Sequence, residues 1–312
     1  MRGLDPLVGH FWTVWPHLRD RVAPPQSPAW SVPWQLEVPD DRFGSVRITG
    51  VLCDLPAADT LVVIIHGLGG SADSPYCVRM ASIAAAMGLA SLRLNLRGAD
   101  RSGEDIYHAG LTADLRAAVE SEPARRFRNV VVVGFSLGGH IALRFAAEDP
   151  ARAEAVAAVC SPLDLAASCA HIDGPGPAVI YRQHLLRGLR EMYRAALPSR
   201  EMPPVGAIRS VQSIRDWDER VVAPRFGFAG ARDYWARASV APLLGDLGVR
   251  CLYLGSRWDP MVADWTVLPA LEADHPRLEV RWLEDGGHVG FPGQLGVERQ
   301  VLGWLIRNST RD

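Results

Sequence analysis

The fold is decided by NVVVVGFSLGGH, residues 129–140. Four consecutive valines make a run too short for a helix and rich in the β-branched side chains that suit a pleated sheet. A G-x-S-x-G follows at once, and a helical pattern runs from Leu137 to Glu148. Between a buried strand and a helix, that motif makes a sharp, strained turn. Gly134 and Gly138 let backbone segments approach closely, and the turn lifts the Ser136 hydroxyl to the C-terminal edge of the sheet beside a helix N-terminus. Ser136 is the candidate nucleophile. The plainer alternative is a glycine-rich turn whose serine only caps the helix.

Working outward, further short β-rich runs alternate with helical segments: LVVII at 61–65, SLRLNL at 91–96, AVAAVC at 155–160, RCLYLG at 250–255 and LEVRWL at 278–283. Apolar strands separated by helices indicate an α/β fold, a mostly parallel sheet flanked by helices on both faces. Thr112 to Glu122 reads as one of these helices, capped by Thr112. Residues 22–39 carry Pro24, Pro25, Pro28, Pro33 and Pro39 and read as an extended stretch, so 1–45 is expected to be an N-terminal arm wrapping the core. From 162 to 240 the pattern becomes rich in arginine and aromatic residues without a buried strand, which predicts a helical cap. The core is then 46–161 with 241–312.

Lys+Arg 33 against Asp+Glu 35 gives a net charge of −2, so nucleic acid and anionic membranes are not expected as leading partners. Every basic residue is arginine, which excludes a Schiff-base lysine and a Walker A loop. Cys53, Cys77, Cys160, Cys169 and Cys251 show no CxxC spacing and read as small buried hydrophobes in a reducing compartment. No apolar run approaches the length of a membrane span, and the start resembles neither signal peptide nor anchor, so a cytoplasmic protein is expected.

A serine hydroxyl needs a base to take its proton. His288, in the glycine-flanked loop EDGGHVGF after the last strand, stands where the order nucleophile, acid, base requires it. The acid expected to orient it is Asp259 in GSRWDP, with Asp264 second; Asp285 lies too close to His288 in sequence. HGLGG at 66–70 follows a strand and suits an oxyanion loop, so the backbone N–H groups of Leu68 and Leu137 are the expected donors. His66 is expected to brace that loop, and His140 to be structural. No metal-ligand spacing appears, so no metal is expected. GLGGSA also matches a dinucleotide fingerprint, but the next strand ends Leu92-Arg93-Leu94-Asn95 without the acidic residue that would hold a ribose.

Several blocks resemble one branch of the α/β-hydrolase superfamily, the YheT-like esterases and ABHD1/ABHD3-type proteins. They include HFWTVWP at 10–16, HGLGGSADSPY at 66–76, GFSLGGH at 134–140, SPLDL at 161–165, YRQHLLRGL at 181–189, the stretch 215–239, SRWDPMV at 256–262 and GGHVGF at 286–291. The resemblance implies an α/β-hydrolase fold with a cap and a serine hydrolase of carboxylic esters, or an acyltransferase to alcohols. It puts the triad on Ser136, Asp259 and His288, with no cofactor and a small-molecule ester as partner. The family usually has Glu where Gly69 stands and Asn where His140 stands. Trp217, Phe226, Phe228, Tyr234 and Trp235 of the cap are then candidates for the substrate pocket or for packing.

Overall fold

The valines at 130–133 lie in β5 (Asn129–Phe135), near the middle of an eight-stranded sheet. The computed structural model describes residues 5–41, 44–103, 105–196 and 208–309. The other strands are β1 (Ser31–Asp40), β2 (Gly44–Cys53), β3 (Thr60–Ile65), β4 (Ala90–Leu94), β6 (Ala153–Val159), β7 (Arg250–Ser256) and β8 (Leu278–Leu283). Their order is β1-β2-β4-β3-β5-β6-β7-β8, antiparallel at β1/β2 and β2/β4 and parallel from β4 onward.

Side chains on successive positions of a strand point to opposite faces, and here both faces are buried. Leu61, Val63, Ile65, Val130 and Val132 enter one apolar core, whereas Val62, Ile64, Val131 and Val133 enter the other. The first core is closed by α3 (Ala113–Glu120) and α5 (Leu137–Glu148), the second by α2 (Pro75–Ala86) and α9 (Gln294–Asn308). Removing a valine side chain from water contributes roughly 1.5–3 kcal/mol, so this central block dominates stability.

The sequence placed no strand at β1 or β2. β1 carries Pro33 and Pro39 and is mostly exposed, as an edge strand can be, and β2 alternates buried and half-buried residues. Within 1–45 the structure contains β1 and a helix, α1 (Asp5–Val22), that runs through Pro16. Residues 42–43, inside that expected arm, fall outside the described residues. Thr112 occupies the N-cap position of α3 but makes no side-chain cap bond; its hydroxyl donates to Glu148 at 2.7 Å, and the helical run breaks at Ser121 before a further turn, α4 (Glu122–Arg125). Between β6 and β7 lie α6 (Leu165–Ile172), α7 (Ala178–Ala196), short helical turns over 214–226 and α8 (Ala231–Ala238). Part of the expected cap, 197–207, lies outside the described residues. All five cysteines are buried, and among the described residues no helix is long and apolar enough to cross a membrane.

Buried arginine ties the layers together. Arg97 donates to Asp114 of α3 at 2.7 Å and to Asp40 of β1 at 2.6 Å, and Arg225 of the cap donates to Asp105 at 2.6 Å. A planar guanidinium has donors enough to satisfy several carboxylates at once, which suits it to such burial.

His66 follows β3 and is fully buried; its Nδ1 lies 2.8 Å from the Gly67 carbonyl, and its Nε2 accepts the Leu96 N–H at 3.2 Å. These partners select the neutral ring, because Nε2 cannot both accept and carry a proton, and burial pushes the pKa down to about 4. A histidine with a depressed pKa binds its proton more readily unfolded. Stability is therefore fully present above the unfolded value and lost as pH falls from about 6.5 toward 4. At about 1.4 kcal/mol per pKa unit, the loss attributable to His66 is on the order of 3 kcal/mol. Denaturant midpoints measured between pH 7 and 4 are expected to fall, and His66→Gln is expected to flatten that slope while lowering the midpoint at pH 7.

Candidate active site

β5 ends in a turn that holds Ser136 at φ 52 and ψ −123, a left-handed backbone unusual for a residue with a side chain. Neighbours compel this conformation. A Cβ at Gly134 would lie 2.2 Å from the Gly138 carbonyl oxygen, one at Gly138 would lie 2.4 Å from that of His66, and one at Gly139 would meet Ser161 Oγ at 1.9 Å. The Ser136 N–H donates to the Val159 carbonyl of β6 at 2.8 Å, while its own carbonyl accepts from Gly139 and His140 as α5 begins. Such strain persists only where the surroundings over-determine it, which is common at reacting centres.

The loops after β7 and β8 bring the expected acid and base, Asp259 and His288, together. His288 Nδ1 lies 2.9 Å from Asp259 Oδ2, both side chains buried. Asp259 Oδ1 accepts the N–H groups of Met261 and Val262 at 2.8 and 2.9 Å, which fixes the carboxylate plane and keeps it an acceptor. With Nδ1 committed to Asp259, Nε2 is the ring nitrogen available for proton transfer.

The base loop is also held from a direction that the sequence did not reveal. Thr13 Oγ1 of α1 accepts the His288 N–H at 2.8 Å and donates to the Gly9 carbonyl at 2.8 Å. A Cβ at Gly287 would lie 2.1 Å from the Gly9 carbonyl oxygen, one at Gly290 would lie 2.0 Å from that of Trp12, and one at Gly9 would lie 1.7 Å from that of Trp258. The N-terminal helix thus sits backbone-to-backbone on the loops that carry Asp259 and His288. His10 Nδ1 lies 2.6 Å from the Tyr181 hydroxyl and links α1 to α7.

Gly67 packs beside the nucleophile; a Cβ there would be 3.0 Å from Ser136 Cβ. In this loop the Gly67 N–H donates to the Tyr76 hydroxyl at 3.0 Å, that of Gly69 to the Tyr107 hydroxyl at 2.8 Å, and that of Gly70 to the Gly67 carbonyl at 3.1 Å. Between them, the Leu68 N–H has no acceptor among the described residues. Leu137 N–H, at the first position of α5, precedes the first intrahelical bond. Gly69 has φ +73, a conformation that disfavours the Glu usual in the family, and Gly188 of α7 approaches its backbone closely.

Two cavities meet at Ser136 and His288. One, of about 100 Å³, runs under the cap and is lined by Leu68, Leu137, Trp217, Tyr234 and Trp235, so three of the expected pocket aromatics reach it. Phe228 does not line it; its ring packs on His108 and Tyr234, centroids 5.6 and 5.2 Å apart, and under Arg237. Asp218, overlooked in the sequence, does line it. Its Oδ2 accepts the Trp235 indole N–H at 2.7 Å, and burial pushes its pKa up to about 7. The second cavity, of about 280 Å³, opens toward α1 and includes Thr13, Val14, His17, Ile180, Tyr181 and His184. His140 lies within hydrogen-bonding distance of the Pro162 and Ala238 carbonyls and joins α5 to the cap. Among the described residues no cluster of three or more His, Cys, Asp or Glu is placed to hold a metal ion.

The Alpha/beta hydrolase family profile matches residues 62–294. YheT of Escherichia coli is 31% identical over 291 residues, which cover 87% of this chain and 84% of its own length. The medium-chain fatty acid ethyl ester synthase/esterase 2 of Saccharomyces cerevisiae is 27% identical over 268 residues, 76% of this chain; the match spans 58% of that longer protein. Among solved structures, an esterase of Pyrococcus furiosus superposes with a TM-score of 0.59 at 16% identity, covering 92% of this chain and 99% of its own.

Because Thr13 accepts the His288 main-chain N–H inside a partly buried contact, Thr13→Val is expected to cost about 1–3 kcal/mol, the penalty for an orphaned donor. Thr13→Ser keeps the acceptor and is expected to retain most of that stability in urea denaturation; a Thr13→Val variant as stable as the wild type would reject the contact as stabilising.

Proposed function

The chain belongs to the Alpha/beta hydrolase family, and from that premise we propose that it is a serine hydrolase that cleaves carboxylic esters through an acyl-serine intermediate. The observation that carries this reading is the 2.9 Å contact of His288 Nδ1 with Asp259 Oδ2, facing cavities that also contain Ser136. Relatives named as esterases support the reaction class.

In the proposed mechanism Ser136 Oγ attacks the ester carbonyl carbon while His288 Nε2 takes its proton. The resulting oxyanion is met by the Leu68 and Leu137 N–H groups, each worth on the order of 10²–10³ in rate for such donors. Collapse breaks the bond to the alkoxide, which leaves with the proton from His288. Water then repeats the sequence, restoring Ser136 and releasing the acid. Asp259 holds the imidazole tautomer and stabilises the imidazolium formed in each half. The apolar cavity beneath the cap suits a short- to medium-chain acyl group, and the cavity beside α1 suits the alcohol. No metal or organic cofactor is required.

The pair of cavities also favours a second reading, in which an alcohol takes the place of water and the product is a new ester. A fold that only binds ligands is the third reading, and fluorophosphonate labelling separates it from the first two.

Ser136→Ala is expected to fold with an unchanged circular dichroism spectrum, to lose fluorophosphonate labelling, and to lose p-nitrophenyl ester hydrolysis by a factor of about 10⁴ or more. Undiminished turnover would reject the nucleophile. The ratio of acid to new ester in the presence of added ethanol distinguishes hydrolase from transferase.

A further inference from the structure

α1 is oriented the opposite way to an ordinary surface helix. Its inward face carries Gly9, Thr13, Pro16 and Asp20; Gly9 and Thr13 pack on the triad loops, Pro16 and Asp20 are buried, and Asp20 is paired with Arg79. Its outward face carries Leu7, Phe11, Val14, Trp15, Leu18 and Val22, all between 41% and 88% exposed. Amphipathic helices of globular proteins bury such a stripe, and a contiguous apolar surface of this kind marks an interaction site. Phe11 and Trp15 stack at 5.8 Å with their planes 10° apart, so the two rings form a single slab.

The stripe is continuous with the active site. Val14 lines the cavity of about 280 Å³ that reaches Ser136 and His288, and so does Ile180 of α7, itself 71% exposed. The cavity mouth therefore opens among apolar side chains. Arginines border it. Arg19 and Arg21 end α1, and Arg187 of α7 is exposed; Arg21 and Arg187 both act on His184, whose pKa is lowered first by its own burial. The nearby acids are engaged, Asp20 with Arg79 and Arg19, and Glu191 with Arg101 at 2.5 Å. An apolar aromatic face bordered by Arg21 and Arg187, which have no ion-pair partner among the described residues, is complementary to an interface of hydrocarbon and anionic headgroups. A second copy of the chain fits less well, because a two-fold contact through α1 would set arginine rim against arginine rim.

We propose that α1, against the expectation set by the chain's net charge of −2, docks this protein on an anionic lipid surface through a local arginine rim, turning the mouth of the α1-side cavity toward the lipid, so that its substrates are esters dissolved in that surface. The docking stands on the stripe itself, and only the choice of substrate rests on the reading of Ser136 as nucleophile. Phe11 and Trp15 enter the interface, while Arg21 and Arg187 meet headgroup phosphates. Since the inward face of the same helix holds His288, docking leaves the base loop undisturbed.

The test is flotation of the full chain with vesicles of phosphatidylcholine alone or mixed with phosphatidylglycerol, alongside turnover of p-nitrophenyl butyrate without vesicles. The wild type is expected to float with the mixed vesicles, and Phe11→Ser with Trp15→Ser is expected to cut that binding by about tenfold or more while leaving butyrate turnover unchanged. Arg21→Gln is expected to weaken binding to mixed vesicles only. A wild type that stays unbound, or a double variant that floats equally well, overturns the proposal; so does a wild-type dimer in sedimentation that the double variant loses. If the double variant misfolds, wild-type flotation that fails to weaken in high salt overturns it instead. Absence of butyrate turnover in the wild type counts against the ester-hydrolase reading and leaves the flotation result standing.

Discussion

Everything at the candidate site depends on the close approach of backbone to backbone around Ser136. β5 must end, reverse and enter α5 within a few residues, while β3 and its following loop press against the same turn. Only hydrogen fits at the α-carbons of Gly134, Gly138 and Gly139, where added carbon would stand 1.9–2.4 Å from existing atoms. That crowding holds Ser136 at a positive φ and sets the Gly67 backbone beside it. The sheet cores on either side supply the rigidity, since β3 and β5 each bury both faces.

A second set of close contacts does for His288 what the first does for Ser136. The loops carrying Asp259 and His288 have little regular structure of their own, yet α1 lies on them so tightly that Gly9, Gly287 and Gly290 admit no side chain. Thr13 completes the contact by accepting the His288 N–H. Burial strengthens the Asp259–His288 interaction, and the two backbone donors on Asp259 Oδ1 offset the cost of removing that carboxylate from water. The N-terminal segment, expected from the sequence to be an arm wrapping the core, lies in its helical part against the loops of the candidate site.

The parallel strands were legible because strands buried on both faces are written as short, mostly apolar runs, as in β3, β5 and β6; the six runs read from the sequence all fall on strands, β8 being the half-exposed far edge. β1 escaped because an edge position tolerates proline and exposed polar residues, and β2, between β1 and β4, escaped because its buried positions alternate with half-buried ones instead of forming an apolar run. α1 escaped because Pro16 is ordinarily read as a break, and because its apolar residues face outward while its buried side is glycine, threonine and proline. Thr112 stands at the N-cap position of α3, but its hydroxyl accepts no helix N–H and donates instead to Glu148. Phe228 and Trp235 looked alike in sequence; only Trp235 reaches the cavity, whereas Phe228 is taken up by His108 and Arg237.

The sequence by itself determined the fold class, the turn that carries Ser136, and which acid and which histidine follow strands in the right order, because these are local patterns of periodicity and glycine placement. Tertiary structure alone decided that Asp259 and His288 lie within hydrogen-bonding distance, that α1 clamps their loops, and that Asp218 faces the apolar cavity. Those outcomes depend on contacts between residues tens to hundreds of positions apart, and no pattern confined to a short window encodes which distant backbone will press against it.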